Sequence, residues 1–360
     1  MTFRSVPTVE PMGETDTDAM DDQSHLWCEL QGSTGICPAK AALKEVTRPS
    51  GHLSQKEHMK QYSGAVLFID MLGIGALTRG KIPLSDAEYA SWGVAAAEAG
   101  RHHILGAKLL MQFRRSLLHT KSSWETVKVA QLSDCAFLWS PDPVAVVNAA
   151  REIMWHATRA GLLCRAGLAY GQIVEPNKVN RSLGQFILGD AVTRAVGFEG
   201  SGKGARVFCD SELAHEVLKN CSFQHEPFAP LRNPLDGTVV DEFRWYTLPS
   251  AVEKRNYLAQ PPLETALGLV ELLTTLRYSP RLSWNSLSTE GRIQVACTVE
   301  AVSKMIPTYV RSDDYTFTVE HVMESQPKRS DEAQARIRKQ FEQEISALIA
   351  RDKKKVKVKR

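Results

Sequence analysis

The chain has 360 residues, 43% of them hydrophobic and 24% charged, with a formal net charge of +3. That length holds one sizeable core with appended segments, or up to three domains. So small a charge does not argue for an overall nucleic-acid binder, and no apolar run reaches the ~18 residues of a membrane-spanning helix.

Residues 1–58 are rich in Thr, Asp, Gly, Pro and Ser with little periodicity, and read as a loosely attached segment. The N-terminus lacks the basic start and apolar stretch of a signal peptide, so the cytoplasm is the expected compartment. An apolar run then predicts a strand over 64–70 ending in Asp70, followed by the Gly-bearing turn Met71-Leu72-Gly73-Ile74-Gly75. Ser85-Asp86-Ala87-Glu88 opens a helix predicted over 85–119, with Ile104, Leu105, Leu109 and Phe113 at helical spacing. A hairpin follows over 125–140, with the two-residue turn Ser133-Asp134. Next come a helix over 143–160, a strand over 162–170 continuing to 175, and a short strand near 185–188. A helix runs from Asp190 through Glu199, then a strand over 206–209, a helix from Ser211 and a strand over 242–248. The opening β-α-β-β-α-β order is the ferredoxin-like split plan. Beyond 249 the pattern is helical: 263–277, 288–306, and a charged stretch over 330–351 with Ile337, Phe341, Ile345, Leu348 and Ile349 on one face. A basic run occupies 353–360.

Two aspartates carry the chemistry. If the strands ending at Asp70 and Asp134 are neighbours, their carboxylates converge beside the exposed amides of the turn, an arrangement suited to divalent ions and a triphosphate. The alternative is that both are ordinary turn residues, since Asp favours turns through local hydrogen bonds. Other motifs carry less. The stretch 197–204 nearly matches a phosphate loop, but a helix precedes it, a strand follows, and Gly204 replaces the required hydroxyl. His102, His103 and His119 lie on the long helix with no acidic partner at ligand spacing, and read as surface or interface residues. Seven scattered cysteines without C-x-x-C spacing fit reduced thiols, and Cys28 and Cys37 with His25 and His52 match no zinc signature.

Phe68-Ile69-Asp70-Met71-Leu72-Gly73-Ile74, Ser133-Asp134, Arg165-Ala166-Gly167-Leu168-Ala169-Tyr170-Gly171 and Gly189-Asp190-Ala191-Val192-Thr193-Arg194-Ala195 together resemble the ordered motifs of class III nucleotide cyclases. The resemblance implies an α+β fold, a ferredoxin-like cyclase catalytic domain over 59–250, preceded by a flexible segment (1–58) and followed by a helical C-terminal extension with a basic tail (251–360). It also implies two divalent metal ions, Mn²⁺ or Mg²⁺, held by Asp70, Asp134 and the backbone carbonyl of Met71. The substrate contacts it implies are Phe68, Leu72, Gly73, Ile74, Gly75, Ala130 and Phe186, with the amides of 72–75 facing the β- and γ-phosphates.

Departures from the purine enzymes narrow the resemblance. Their two base-reading polar positions are Ala130 and Phe186 here, and neither supplies hydrogen bonds to a purine edge. The pattern is closer to the bacterial pyrimidine cyclases of the Pycsar antiphage systems. That likeness implies conversion of UTP to 3′,5′-cyclic UMP and pyrophosphate, with cytidylate cyclase as the alternative, and a separate cyclic-nucleotide effector as partner. The Asn and Arg that serve the transferring phosphoryl group in purine enzymes are replaced by Thr193 and Gly197. Arg194, on the same helix, is the candidate substitute, and in the head-to-tail homodimers of the family it would act across the interface. Three other readings remain: a purine cyclase with an unusual base pocket, a catalytically silent cyclase-like domain that binds a nucleotide or partner, and an RNA- or membrane-surface module built on the basic tail.

Overall fold

A computed structural model describes residues 59–177, 185–220, 227–232, 239–247 and 262–309 of the chain. The segment 1–58, the charged stretch at 330–351 and the basic tail lie outside the described residues. Strand β1 (Met59–Met71) runs between β3 (Cys135–Ser140) and β4 (Cys164–Pro176), antiparallel to both. Strand β2 (Lys128–Leu132) completes the hairpin with β3. On the far side of β4 come β5 (Val207–Cys209), parallel to it, then β7 (Val239–Phe243) and β6 (Phe228–Arg232). The seven described strands form one sheet in the order β2-β3-β1-β4-β5-β7-β6. Its first half, with crossover helices α3 (Arg101–Ser123) and α4 (Pro143–Arg159), is the split β-α-β-β-α-β plan expected from the sequence.

Both faces of β1 are covered, which is why its centre reads as a continuous apolar run. Side chains alternate across a strand. Ala65, Leu67 and Ile69 point into a core with Leu105, Leu109 and Phe113 of α3 and Val146, Ala150 and Ile153 of α4. Val66 points the other way, into a smaller cluster with Trp139, Ala169, Ile173 and the Ala191 and Ala195 methyls of α5 (Asp190–Glu199). Phe68 packs against that cluster, and by the same alternation Asp70 belongs to the α5 face.

The start of α4 follows directly from its sequence. Asp142 caps it by accepting from the Val144 N–H at 2.9 Å, and Pro143 opens its first turn. The expected single helix over 85–119 is instead two, α2 (Asp86–Ser91) and α3, following the short α1 (Ile74–Thr78). Gly93 and Gly100 in the connection take φ of 68° and 64°, left-handed values that end one helix and precede the next. The strand expected over 242–248 stops at Phe243, and Trp245–Thr247 form a 3₁₀ turn that drives the Trp245 ring edge-on to Trp155 at 5.4 Å. The short strand near 185–188 is reduced to one bridge, Val174 to Leu188. Strand β6 escapes a reading of the sequence because Pro230 lies inside it; it sits at the sheet edge, where proline is tolerated.

After α6 (Ser211–Asn220), helix α7 (Pro262–Tyr278) buries Leu269, Val270, Leu273 and Leu276 in the same core as Trp155 and Trp245. A 3₁₀ segment (Pro280–Ser286), α8 (Thr289–Ser303) and α9 (Ile306–Tyr309) follow. No helix among the described residues is long and apolar enough to cross a membrane.

Helix α5 lies so close to β4 that a methyl at Gly167 would overlap the Ala195 carbonyl oxygen and sit 2.5 Å from the Glu199 nitrogen. Gly167→Ala is therefore expected to cost about 1–3 kcal/mol or more, read as a lower midpoint in urea denaturation. An unchanged midpoint would mean that α5 does not rest on the sheet at this point.

Candidate acidic site at the end of the central strands

The ladder positions the first carboxylate. Asp70 stands opposite Cys135 on β3 and opposite Arg165 on β4. The turn positions the second: Ser133 adopts a left-handed φ of 58°, closing the hairpin in two residues, and the Asp134 carbonyl accepts from the Met71 N–H at 3.0 Å. Asp70, Met71 and Asp134 thus share one end of the sheet. A third carboxylate joins them from α5, whose last residue is Glu199. Arg165 anchors it, donating from Nε to Glu199 Oε1 at 2.6 Å and from a terminal nitrogen to the Gly202 carbonyl at 3.0 Å.

The electrostatics show how crowded this end is. Burial first, then the charges of Glu199 and Asp134, push Asp70 up to about 7, against the opposing pull of Arg165 and the Met71 N–H. Burial, with Asp70 and Asp134 next, pushes the neighbouring Cys135 thiol up to about 11. Three carboxylates face one guanidinium, a surplus of negative charge on hard oxygen donors. Hard oxygen donors are what a divalent cation such as Mg²⁺ or Mn²⁺ takes, although Asp70, Asp134 and Glu199 do not bring three ligand atoms within 4.8 Å of one another. In the sequence Glu199 stands out only as the acidic end of a helix motif, and its pairing with Arg165 across 34 residues has no local signal.

The turn after Asp70 departs from expectation in one respect. The Leu72 amide donates to the Leu163 carbonyl at 2.9 Å and its side chain is buried, so that N–H does not face a ligand. Gly73 takes φ of 90° at the start of α1, and the exposed backbone is at Gly73 and Gly75. The first amides of a helix lack acceptors within it, which leaves the N–H groups of Ile74 and Gly75 as the donors here. The Ile74 side chain itself is buried.

Arg194 does not join the acidic end within one chain. Its guanidinium meets Asp210 at 3.0 Å, Glu212 at 2.9 Å and Asp190 at 3.3 Å, and also donates to the Tyr170 carbonyl. Tyr170 lies five residues beyond Arg165, about 16 Å along β4 by strand rise. Arg194 stands on α5, where Asp190, Asp210, Glu212 and the Tyr170 carbonyl claim it.

Along the α5 face from Asp70, the next layer is aromatic. Phe68 and Phe137 sit with ring centroids 4.9 Å apart, and Ala130 pairs with Phe137 across the hairpin. Phe68, Ala130 and Ile187 all pack on this cluster, whereas the Phe186 ring is 55% exposed and stands outside it. Beyond lies a polar nest not foreseen from the sequence. Glu175, buried, pairs with Lys128 and accepts from Trp139 Nε1 at 3.0 Å and from Gln185 Nε2 at 3.2 Å. Lys128 lies on the same face as Ala130, two residues earlier. Burial alone would raise Glu175, but hydrogen bonds from Lys128 and Trp139 and the Lys128 charge hold it below the usual carboxylate range. Burial first, then the same carboxylate, pushes the Tyr62 hydroxyl up to about 12.

No protein-family model matches the chain, and no curated protein matches it. Solved structures similar to it include nucleotide cyclases. The adenylyl cyclase CyaB from P. aeruginosa is 14% identical, over 55% of this chain and 98% of its own, at a TM-score of 0.38. The guanylyl cyclase Cya2 is 11% identical, over 56% and 98%, at 0.39. A dimeric guanylyl cyclase domain of the RhoGC fusion protein from the aquatic fungus Blastocladiella emersonii is 15% identical, over 52% and 97%, at 0.37.

Because the folded state depresses Glu175, its contribution to stability is present above its ordinary value and is lost as pH falls through the lowered one. Lys128→Met strands a buried carboxylate. With Lys128 37% exposed, the expected cost is roughly 2 kcal/mol at neutral pH, below that of a fully buried pair. Urea melts across the acid range should show the variant's deficit shrinking as pH falls, because the parent loses the pair's contribution there and the variant has none to lose; a deficit that is the same at every pH would remove the pair from the account.

Proposed function

We propose that the chain is a metal-dependent nucleotide cyclase acting on a pyrimidine nucleoside triphosphate, UTP ahead of CTP, to give the 3′,5′-cyclic nucleotide and pyrophosphate. The observation that carries this reading is that Asp70 and Asp134 share one end of the sheet, close enough for their charges to interact, beside an exposed glycine turn. The order of motifs along the chain supports it. By its likeness to the Pycsar cyclases, the product would be a second messenger for a separate effector in antiphage defence, made in the cytoplasm by a homodimer.

In such a reaction the ribose 3′-oxygen attacks the α-phosphorus and pyrophosphate leaves. Asp70, Asp134 and the Met71 carbonyl would hold two divalent ions, which when bound polarise the phosphoryl oxygens and activate the attacking hydroxyl. The chain's own groups do the rest. Arg165 holds Glu199 in place at the rim of the acidic end. The N–H groups at Ile74 and Gly75 offer donors to the triphosphate tail. Phe68, Phe137 and Ala130 form an apolar wall on which a base stacks without the polar code of a purine site. Arg194, claimed by Asp190, Asp210 and Glu212 in its own chain, would serve the phosphoryl group only in a partner subunit's site. That engagement also favours a second reading, a cyclase-like domain that binds nucleotide without turning it over.

Purified protein incubated with each of the four ribonucleoside triphosphates and Mn²⁺ should yield cyclic UMP or cyclic CMP by mass, and Asp70→Ala should reduce the product to background. Cyclic AMP or GMP alone would overturn the pyrimidine assignment, and no product from any substrate would favour the silent domain. Arg194→Ala should lower kcat by about 10³-fold with little change in nucleotide affinity; unchanged turnover would end its proposed role.

A further inference from the structure

On the face of the sheet away from Asp70, the end of α3 meets α4 at His119, Glu152 and His156. Glu152 and His156 are four residues apart, one above the other on a single helix face, and His119 comes from the neighbouring helix. One ligand atom from each residue lies within 4.8 Å of the others. His119 Nε2 is 3.2 Å from Glu152 Oε1, and the two imidazole centroids are 3.9 Å apart at a tilt of 48°. Donors around a tetrahedral zinc at ~2.0–2.1 Å stand ~3.3 Å from one another, so the His119–Glu152 spacing is already that of a ligand pair.

The surroundings resemble those of a built site. The Glu152 carboxylate is buried, 8% exposed, and is oriented by two donors, Ser123 Oγ at 2.7 Å and Trp124 Nε1 at 2.8 Å. Outer hydrogen bonds of this kind fix a ligating carboxylate. The His119 side chain is 51% exposed, so the cluster is open to solvent, which provides an entry path and a fourth coordination position. Two imidazoles and one carboxylate select a borderline transition metal over Mg²⁺ or Ca²⁺.

We propose that His119, Glu152 and His156 bind one transition-metal cation, with Zn²⁺ the best fit, and that this cation ties the end of α3 to α4 independently of any ion held at Asp70 and Asp134. The test uses the full chain, stripped with chelator and titrated calorimetrically with Zn²⁺ alone. One equivalent should bind, His119→Asn and His156→Gln should each weaken it by ~100-fold or more, and Ser123→Ala by ~10-fold. Asp70→Asn should leave it intact. Zn²⁺ should raise the melting temperature of the parent but not of His119→Asn; that position is half-exposed, and the variant's metal-free melt controls for loss of folding. Co²⁺ in place of Zn²⁺ should give a visible spectrum free of thiolate charge transfer. Absence of a bound equivalent, binding indifferent to both histidine variants, or a thiolate signature would overturn the proposal and leave an ordinary histidine–carboxylate pair.

Discussion

The register of β1 against its two neighbours is the constraint on which the candidate site depends. Because the side-chain period of a strand is two, a slip of one residue would carry Asp70 from the α5 face into the apolar core under α3 and α4. It would also move Leu67 and Ile69 out of that core, each worth about 1.5–3 kcal/mol when fully buried, and leave a carboxylate desolvated with no partner. The alternation Ala65, Leu67, Ile69 against Val66 and Phe68 therefore does more than stabilise the sheet. It sets which face, and which end of the ladder, receives the carboxylate that crowds against Asp134 and Glu199.

The helices beyond residue 262 bear on the same end of the sheet. The Trp284 ring packs so near Gly73 that a methyl there would lie 3.0 Å from it, and its Nε1 donates to the Gly161 carbonyl at 3.4 Å. On the other flank, Gln294 and Thr298 of α8 accept from the backbone N–H groups of Gly204 and Ala205 at 2.6 and 2.8 Å. Those two loops flank the acidic end, one following Asp70 and the other following Glu199. Residues 280–298 thus support both sides of the site, while α7 fills the core behind it. Gly204, at φ 93° and against α8, is the point where this approach requires glycine.

Much of the frame was legible in the chain. The apolar run ending at Asp70, the two-residue turn at Asp134 and the Asp142-Pro143 helix start are local signals, each decided by residues within a few positions of one another. What escaped was of two kinds. Some local signals compete: two glycines divided a helix whose apolar spacing looked continuous, and Pro230 concealed an edge strand. Others are not local at all. Lys128 finds Glu175 47 residues away, Arg165 finds Glu199 at a distance of 34, and His119 acquires an acidic partner only because α4 packs beside α3.

The sequence by itself determined most of the alternation of strands and helices, the strand end at which Asp70 falls, and the motifs that make a nucleotide cyclase the natural hypothesis. Only the tertiary structure decided which charges meet. It gave Glu199 to Arg165, committed Arg194 to three carboxylates of its own chain, spent the Leu72 amide on Leu163, and joined two histidines to a buried glutamate. The physical reason is range: backbone preference and hydrophobic period act within one turn or one strand, whereas an ion pair depends on distances that exist only once the sheet and helices are packed.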